Sequence, residues 1–438
     1  MQKEVNVIGG GLAGCEAAYQ LLKRGIKVNL YEMKPKKYSP AHKYHNLSEL
    51  VCSNSLKSDD KATAGGILKA ELRLLDSLLI DCADKTKVPA GNALAVNREE
   101  FSDLVTSRLK AFDNLNIINE EVTKLDITKP TIIATGPLTS DALSAELKNL
   151  FGQDYLYFFD AIAPIVAYDS IDFDIAFQGD RYGKGTNDYI NCPFNKEEYL
   201  AFQKMLVEGE IVKLKDFENH KVFEGCMPIE VLAKRGVDTM RFGPLKPVGI
   251  ENPHTNSRPY AVVQLRRETV NNDFYNIVGF QTNLTYPEQK RIFSAIPGLK
   301  NAEFLRYGTM HRNTYINAPR LIDNYRLKTH DNIFIAGQLS GVEGYIESIS
   351  SGLTCGLNMY NYLTGKPEIK FDTHTMIGAL SNYISTASEK NFQPMSSNMG
   401  IINFGDFNDI RDKKQKNIAL YEKAIECLKN DIKSHNIS

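Results

Sequence analysis

Residues 5–14 read Val-Asn-Val-Ile-Gly-Gly-Gly-Leu-Ala-Gly, and Glu32 follows eighteen residues after the last glycine. The apolar, β-branched start predicts a buried parallel strand. Three glycines then fit G-x-G-x-x-G, which permits a tight turn, close approach of a pyrophosphate and close packing of helix on strand. A helix-forming stretch and a second strand, Lys27–Tyr31, complete a βαβ unit that ends at an acid suited to bind a ribose. The segment predicts dinucleotide binding by Gly9, Gly10, Gly11, Leu12, Ala13, Gly14 and Glu32.

The composition is that of an ordinary soluble protein with two or three domains. The chain has 438 residues, 42% hydrophobic and 24% charged, with a formal net charge of -1. No apolar run reaches the length of a membrane span, and the first strand begins too early to leave room for a signal peptide. The seven cysteines include no C-x-x-C pair, which favours reduced thiols in the cytoplasm and predicts no metal site. The near-neutral charge means that any nucleic-acid surface must be local.

Two later segments repeat the pattern of a buried strand followed by a small-residue turn. Residues 131–137 lead to Gly136, and residues 332–338 lead to Gly337, Gln338 and then Gly341. In flavoproteins of this sheet type, such a late turn brings N–H groups and a helix N-terminus to the flavin. We therefore predict an α/β fold, a Rossmann-type FAD-binding domain with an inserted α+β domain. The predicted boundaries are 1–150 and 305–404 for the FAD-binding domain, 151–304 for the substrate- and RNA-binding insert, and 405–438 for a charged helical tail.

The cysteines narrow the chemistry further. Flavin disulfide reductases need two cysteines a few positions apart, whereas the closest pair here, Cys52 and Cys82, is thirty residues apart. Cys52 lies where an apolar stretch breaks into a polar turn. Cys226 lies between Gly225 and Pro228, with basic residues near in sequence that would favour a thiolate. Taken singly, either thiol could also be a buried packing residue.

Two further stretches are rich in polar or basic side chains. Residues 307–315 concentrate donors and acceptors between apolar segments, which fits a ligand-binding segment or a solvated loop. Residues 231–267 contain seven basic and two acidic side chains, interleaved with Phe242 and Tyr260. Such a patch could bind phosphates and stacked bases, or could be a solvated charged face. The predicted RNA contacts are Lys234, Arg235, Arg241 and Arg266.

Several long strings together resemble the TrmFO family of folate- and FAD-dependent uracil-5-methyltransferases of RNA. The resemblance runs from Val5 to about Phe404 and is far more specific than the glycine pattern. The strings are residues 9–14, 49–56 (Glu-Leu-Val-Cys-Ser-Asn-Ser-Leu), 224–230 (Glu-Gly-Cys-Met-Pro-Ile-Glu), 310–314 (Met-His-Arg-Asn-Thr) and 336–345 (Ala-Gly-Gln-Leu-Ser-Gly-Val-Glu-Gly-Tyr).

The resemblance implies both a reaction and roles for individual residues. A methylene group leaves 5,10-methylenetetrahydrofolate, reaches carbon 5 of an RNA uridine and is reduced by flavin hydride, and NADPH or NADH re-reduces the flavin. Cys226 matches the thiol that attacks carbon 6, and Cys52 matches a second essential thiol that helps to remove the proton at carbon 5. The residues expected to bind folate are His311, Arg312, Asn313 and Tyr345.

Three alternatives remain open from the sequence. The RNA could be a tRNA, with the T-loop uridine as the expected target, or a 23S rRNA. The related wobble-uridine modifiers MnmG (GidA) share the fold but carry a long C-terminal helical domain. A flavin-bound RNA-binding protein without turnover would need no nucleophile. No obligate protein partner is evident.

Overall fold

The computed structural model describes residues 3–39, 41–152, 155–161, 163–183, 187–212, 227–267, 274–308, 310–403, 407, 410 and 412–437. For residues 155–161, 310–313, 391 and 413 it describes the backbone alone. The first half of the chain forms β1 (Glu4–Ile8), α1 (Leu12–Leu22), β2 (Lys27–Tyr31), β3 (Ser55–Ser58), α2 (Ala64–Leu74), α3 (Leu78–Lys85), β4 (Lys87–Val88), β5 (Ala93–Val96), α4 (Arg98–Lys110), β6 (Leu115–Ile118), β7 (Thr131–Ile133), α5 (Asp141–Phe151), β8 (Tyr155–Ala161), β9 (Ile165–Ala167), β10 (Phe177–Gln178), β11 (Tyr189–Phe194) and α6 (Lys196–Glu208).

The second half contains a similar mixture of helices and strands. Its elements are α7 (Ile229–Arg235), α8 (Thr239–Phe242), β12 (Ala261–Arg267), β13 (Phe274–Ile277), α9 (Tyr286–Phe293), β14 (Phe304–Arg306), β15 (Met310–Ile316), α10 (Ala318–Leu321), β16 (Ile322–Asp323), β17 (Arg326–Leu327), β18 (Ile333–Ile335), α11 (Tyr345–Thr364), α12 (Met376–Thr386) and α13 (Lys413–Ser434). Within these described elements, no helix combines the length and the apolar character needed to cross a membrane.

A seven-stranded sheet, ordered β16-β17-β18-β7-β1-β2-β6, contains the predicted βαβ unit. Strands β18, β7, β1, β2 and β6 run parallel, as the near-continuous apolar stretches of β1 and β7 predict. Helix α1 is buried along its whole length because it lies between this sheet and α11. The sheet therefore joins residues from the start of the chain to residues beyond 330.

A six-stranded antiparallel sheet, ordered β10-β11-β12-β13-β9-β14, has its own hydrophobic core. Helices α6, α7 and α9 contribute buried side chains to that core, including Tyr199, Ile229 and Phe293. A separate pair of strands, β8 and β15, runs antiparallel from Met310 opposite Ala161 to Ile316 opposite Tyr155. Strand β8 lies near the start, and β15 near the end, of the chain segment that separates β7 from β18.

The last helix, α13, is a docked element. Leu420, Ala424 and Leu428 are almost fully buried in the same core as the seven-stranded sheet. The side chain of Asn417 donates to the carbonyl of Ala62 at 2.8 Å, just before α2. The charged residues of α13 are thus one face of an amphipathic helix whose other face packs on the protein.

Candidate active site

A cleft lies at the carboxyl ends of β1, β2 and β7, where parallel sheets of this type bind ligands. It encloses about 1070 Å³, counted out to its open mouth. Ten residues predicted from the sequence line it: Gly9, Gly10, Gly11, Leu12, Ala13, Glu32, Gly136, Gly337, Gln338 and Tyr345. The turns after β1, β7 and β18 therefore come together at one place, although they are far apart in the chain.

The glycines of the first turn divide into two kinds. A Cβ atom on Gly14 would lie 1.9 Å from the carbonyl oxygen of Gly9, so this glycine allows α1 to pack against the turn. Gly11 has an ordinary φ of -80°, and a Cβ atom there would meet no protein atom within 4 Å. Because Gly11 lines the cleft and no described neighbour requires it to be glycine, its lack of a side chain fits a ligand that approaches the backbone closely.

The start of α1 supplies the chemistry that a pyrophosphate needs. Gly11 is the N-cap residue and offers no side chain to the first N–H groups of the helix. Such N–H groups, together with the helix dipole, attract an anion. The residues present therefore fit the diphosphate of a dinucleotide.

Glu32 is held with its carboxylate at the cleft. Its two oxygens accept hydrogen bonds from the backbone N–H groups of Gly10 and Lys34, both at 3.0 Å. A Cβ atom on Gly10 would lie 2.8 Å from the same carboxylate, which gives this glycine a reason that the sequence pattern does not show. Each oxygen retains a further lone pair, so Glu32 can also accept from a ribose hydroxyl.

Gly341 was also predicted to contact the cofactor, but it does not line the cleft. It has a φ of +88°, and a Cβ atom on it would lie 2.5 Å from the ring of Phe392. Its place in the turn is therefore explained by backbone conformation and by packing against that ring.

The loop that carries Cys52 is fixed at the edge of the cleft. The hydroxyl of Tyr345 accepts hydrogen bonds from the N–H groups of Cys52 at 2.8 Å and Ser53 at 3.1 Å. On the other side, Arg98 donates to the carbonyls of Leu50 and Val51 at 3.0 and 3.2 Å. Tyr345 is half-buried, and desolvation of its phenol raises the pKa of the hydroxyl, which therefore stays neutral. Because Val51 and Tyr345 line the cleft, the Cys52 backbone is held beside it.

Arg266, predicted as an RNA contact, lies against the same loop. Its guanidinium donates to the side chains of Ser53 and Asn54. The amide of Asn54 in turn donates to the carbonyl of Arg267 at 2.9 Å. The end of β12 in the six-stranded sheet is thus bonded to the loop of Cys52. The sequence gives no signal for this contact, because its partners are more than 200 positions apart.

The other predicted RNA contacts differ in their surroundings. Arg241 stacks on the ring of Tyr260, 3.7 Å from its centroid, and forms an ion pair with Asp238 at 2.7 Å. Lys234 and Arg235 are exposed at the end of α7. The charge of Arg241 is therefore partly engaged by Asp238.

Two predicted sites fall partly or wholly outside the described residues. Cys226 lies in 213–226, outside the described part of the chain. His311, Arg312 and Asn313 lie on β15, whose backbone is described while their side chains are not. Directly after them, the N–H of Thr314 donates to the carbonyl of Pro137 at 2.9 Å, and Pro137 lines the cleft. Strand β15 therefore passes beside the turn that contains Gly136.

A second cluster at the cleft was not found from the sequence. The buried Lys34 ammonium donates to the carbonyls of Tyr44 and Asn46 and lies 3.4 Å from Glu49. His42 is nearby, and its burial lowers the pKa of the imidazole, which favours the neutral form. Lys34, His42 and Glu49 all line the cleft. Glu49 begins the string 49–56, whereas Lys34 and His42 precede it and belong to none of the strings.

Outside the cleft, the described residues include one group of possible metal ligands. Asp372, His374 and Cys427 bring one ligand atom each within 4.8 Å of one another. Asp372 already accepts from both the backbone N–H and the ring nitrogen of His374. None of the three lines the cleft.

Together, the parallel sheet, the glycine turn at a helix N-terminus and the acid after β2 define a dinucleotide-binding α/β protein of the flavoprotein type. The family model described as "Glucose inhibited division protein A" matches residues 4–367. The "Methylenetetrahydrofolate--tRNA-(uracil-5-)-methyltransferase TrmFO" of Acetivibrio thermocellus is 55% identical over 433 residues, 99% of each chain. The protein of the same name from Fusobacterium nucleatum is 56% identical and covers 99% of this chain and 100% of its own. The chain therefore belongs to the glucose-inhibited division protein A family and, more narrowly, to the TrmFO family.

The solved structures agree on the fold. Aquifex aeolicus GidA, in its form II crystal, superposes with a TM-score of 0.71 and 16% sequence identity. The match covers 99% of this chain and 76% of the GidA chain. The predicted fold class, a GidA-like FAD-binding Rossmann-type domain in a mixed α/β protein, is thereby confirmed.

Proposed function

We propose that this protein methylates carbon 5 of a uridine in tRNA, with 5,10-methylenetetrahydrofolate as the donor of the one-carbon group. The observation that carries this proposal is full-length identity of 53–56% to proteins named for that reaction, including those of Acetivibrio, Listeria and Fusobacterium. These names favour tRNA over 23S rRNA and over wobble-uridine modification. The cleft supports the proposal because its residues fit the dinucleotide that such a reaction needs.

The bound FAD would supply the hydride that converts the transferred methylene to methyl, and NADPH or NADH would restore the reduced flavin. The chain's part in binding it falls to Gly11 and the N-terminus of α1 for the diphosphate, and to Glu32 for the ribose. Gly136, Gly337 and Gln338 border the rest of the cleft. Gly11, Gly136 and Gly337 offer only backbone to the cleft, which suits a cofactor that must be held close and in one orientation.

The two thiols are assigned different steps of the reaction at the uracil ring. Carbon 5 of uracil is a poor nucleophile until a thiolate adds at carbon 6, and we assign that addition to Cys226. The electron pair then moves to carbon 5, which bonds to the methylene carbon, and the bond between that carbon and the folate nitrogen breaks as the group is transferred. The proton at carbon 5 must leave before the thiolate is expelled, and Cys52, held at the edge of the cleft by Tyr345, is assigned to its removal.

The folate is expected to lie against β15 at the mouth of the cleft. His311, Arg312 and Asn313 immediately precede Thr314, which is bonded to the cleft residue Pro137. Arginine suits a folate glutamate carboxylate because it can pair with it through two parallel hydrogen bonds. Tyr345 would border the same region. The enzyme is expected to work in the cytoplasm, without an obligate protein partner.

Trapping the uracil–thiol bond tests the proposal. RNA that carries 5-fluorouridine should form a stable covalent adduct with the folate-supplied holoenzyme, because fluorine cannot leave as a proton. A T-loop tRNA substrate should form it and a 23S rRNA fragment should not. Cys226→Ala should keep FAD and bind tRNA, yet form no adduct and no methylated product. Cys192→Ala is the matched control, since Cys192 is a packing residue of the six-stranded sheet whose burial raises its thiol pKa.

The outcomes separate the parts of the proposal. An adduct that persists in Cys226→Ala but disappears in Cys52→Ala would reverse the roles of the two thiols. Methylation that survives both substitutions would contradict the thiol mechanism. An adduct formed with the 23S fragment alone would contradict the choice of tRNA.

A further inference from the structure

Phe242 is the most exposed large apolar side chain among the described residues, with 83% of its surface accessible. It ends the short helix α8, between the basic end of α7 and the turn 243–249. A single exposed apolar side chain is common on a monomer, so the role of Phe242 depends on how its backbone is supported and on what accompanies it.

The backbone beneath Phe242 is firmly attached. The neighbouring side chain of Met240 is fully buried in the core of the six-stranded sheet, as is Leu245. Arg241 donates to the carbonyl of Tyr260 at 3.0 Å while its guanidinium stacks on that ring. With its neighbours on both sides fixed, Phe242 is presented to solvent by a rigid support.

The stretch of chain that carries Phe242, residues 231–267, is mainly basic. Lys234, Arg235, Lys246 and Arg258 are exposed on it. Of its two acidic residues, Asp238 is bonded to Arg241 and Glu251 is exposed. A bare aromatic ring on a basic stretch suits a nucleic acid, which presents phosphates for the cations and a flat base for the ring.

A second exposed ring lies against the same turn. Tyr182, 62% exposed, donates its N–H to the carbonyl of Gly249 at 2.7 Å, and its ring contacts the α-carbon side of that glycine. The adjacent Arg181 donates to the carbonyls of Lys246 and Val248. The turn after Phe242 is therefore tied to a loop that carries another aromatic side chain in solvent.

We propose that Phe242 stacks on an unpaired base of the RNA substrate while the surrounding cations hold its phosphates. This assignment rests on the proposed function for the identity of that RNA as a tRNA. A second copy of this chain would fit poorly, because a symmetric contact would place two positive surfaces against each other. An apolar protein partner would not match the basic character of this stretch.

Equilibrium binding of a fluorescently labelled tRNA transcript to the FAD-loaded full-length protein tests the proposal. Loss of one stacking contact should raise the Kd of Phe242→Ala by about 5- to 100-fold. Phe242→Tyr, which keeps a flat ring, should bind within about 3-fold of the wild type. Tyr362→Ala removes an exposed ring from α11 of the other domain and should have no effect. Lys246→Ala should reduce the slope of log Kd against log salt, whereas Phe242→Ala should leave that slope unchanged.

The results distinguish this proposal from the proposed function. NAD(P)H oxidation without RNA and the flavin spectrum should be the same in wild type and Phe242→Ala, which reports intact folding and flavin binding. An unchanged Kd in Phe242→Ala overturns the stacking role, even if the enzyme methylates tRNA. A raised Kd that tyrosine does not restore also overturns it. A smaller assembly of Phe242→Ala on size exclusion would show that a second copy covers the ring instead. If wild type binds tRNA through Phe242 but does not methylate it, the proposed function fails and the stacking stands.

Discussion

At the scale of single residues, the glycines show what sequence spacing can and cannot reveal. The pattern predicts that Gly9, Gly11 and Gly14 are needed, and the structure separates them. A Cβ atom would meet the carbonyl of Ala134 at Gly9 and that of Gly9 at Gly14, but no described protein atom at Gly11. The spacing also predicts Glu32, because an acid after the second strand of such a unit is a local feature. Gly10 has no place in the pattern, and its close approach to Glu32 becomes visible only when both strands are paired.

Gly11→Val and Gly14→Ala should therefore fail in different ways. Gly11→Val adds a side chain that faces the cleft, so the apoprotein should keep a Tm within a few degrees of the wild-type apoprotein but bind no FAD. Gly14→Ala forces a methyl group against the carbonyl of Gly9, which should destabilise the apoprotein by about 1–3 kcal/mol or more. Thermal unfolding of flavin-free samples and FAD titration measure the two effects. A Gly11→Val protein with full flavin occupancy would contradict the proposed cofactor site.

At the scale of helices and strands, a buried carboxylate joins α2 to α12. Glu71 accepts the first N–H groups of α12, from Met376 at 2.7 Å and Ile377 at 2.9 Å. Burial nevertheless outweighs these bonds and raises the pKa of Glu71 to about 8. The sequence predicts neither contact, because an isolated glutamate in a helix usually indicates a solvent-facing position.

The raised pKa of Glu71 predicts a pH-dependent stability. The folded protein binds a proton at Glu71 up to about pH 8, whereas the unfolded chain releases it near 4.5. The contribution of Glu71 to the free energy of unfolding is complete below about pH 4.5 and is lost as the pH rises towards 8. The free energy of unfolding falls by up to about 1.4 kcal/mol per pH unit in this range. Denaturant unfolding of apoprotein between pH 5 and 7 should show a flatter pH dependence for Glu71→Gln than for wild type. This range lies below the titration of Lys69, whose burial lowers its pKa to about 8.

The exposed Glu422 on α13 offers a matched control for this measurement. Glu422→Gln should retain the wild-type pH dependence, because its carboxylate is in solvent in both states. Equal slopes for wild type and Glu71→Gln would show that Glu71 stays ionised in the fold, held by the two N–H groups of α12.

At the scale of the whole molecule, the two sheets meet at the loop of Cys52. Across this junction, Arg266 donates to the side-chain oxygen of Asn54, and the amide of Asn54 donates to the carbonyl of Arg267. Much of the architecture could be predicted, because parallel strands and glycine turns leave local patterns and the TrmFO strings are long. The junction could not be predicted from the sequence, because its hydrogen bonds depend on how the two sheets are placed relative to each other. From the sequence alone, Arg266 therefore cannot be distinguished from the other basic residues of 231–267.

Substitution of Arg266 separates a structural contact from an RNA contact. Arg266→Ala should leave the Cys52 loop less well positioned and lower kcat by about 10- to 100-fold, while the KM for tRNA changes little. Lys234→Ala, which removes an exposed cation, should instead raise the KM for tRNA and leave kcat unchanged. Steady-state methylation with tRNA varied at saturating folate gives both constants. If Arg266→Ala raised only the KM for tRNA, Arg266 would be an RNA contact instead.

The pairing of α1 with α11 also bears on how the protein is made. Helix α1 is buried on every side, but α11, which covers it, begins 323 residues after α1 ends. At about 5–20 residues per second, a ribosome needs roughly 15–65 s to cover that distance. During this interval the nascent chain carries an uncovered apolar helix and a cofactor site that lacks its late turn. Chaperone contact with α1 and flavin loading only near the end of translation are the expected consequences for the cell.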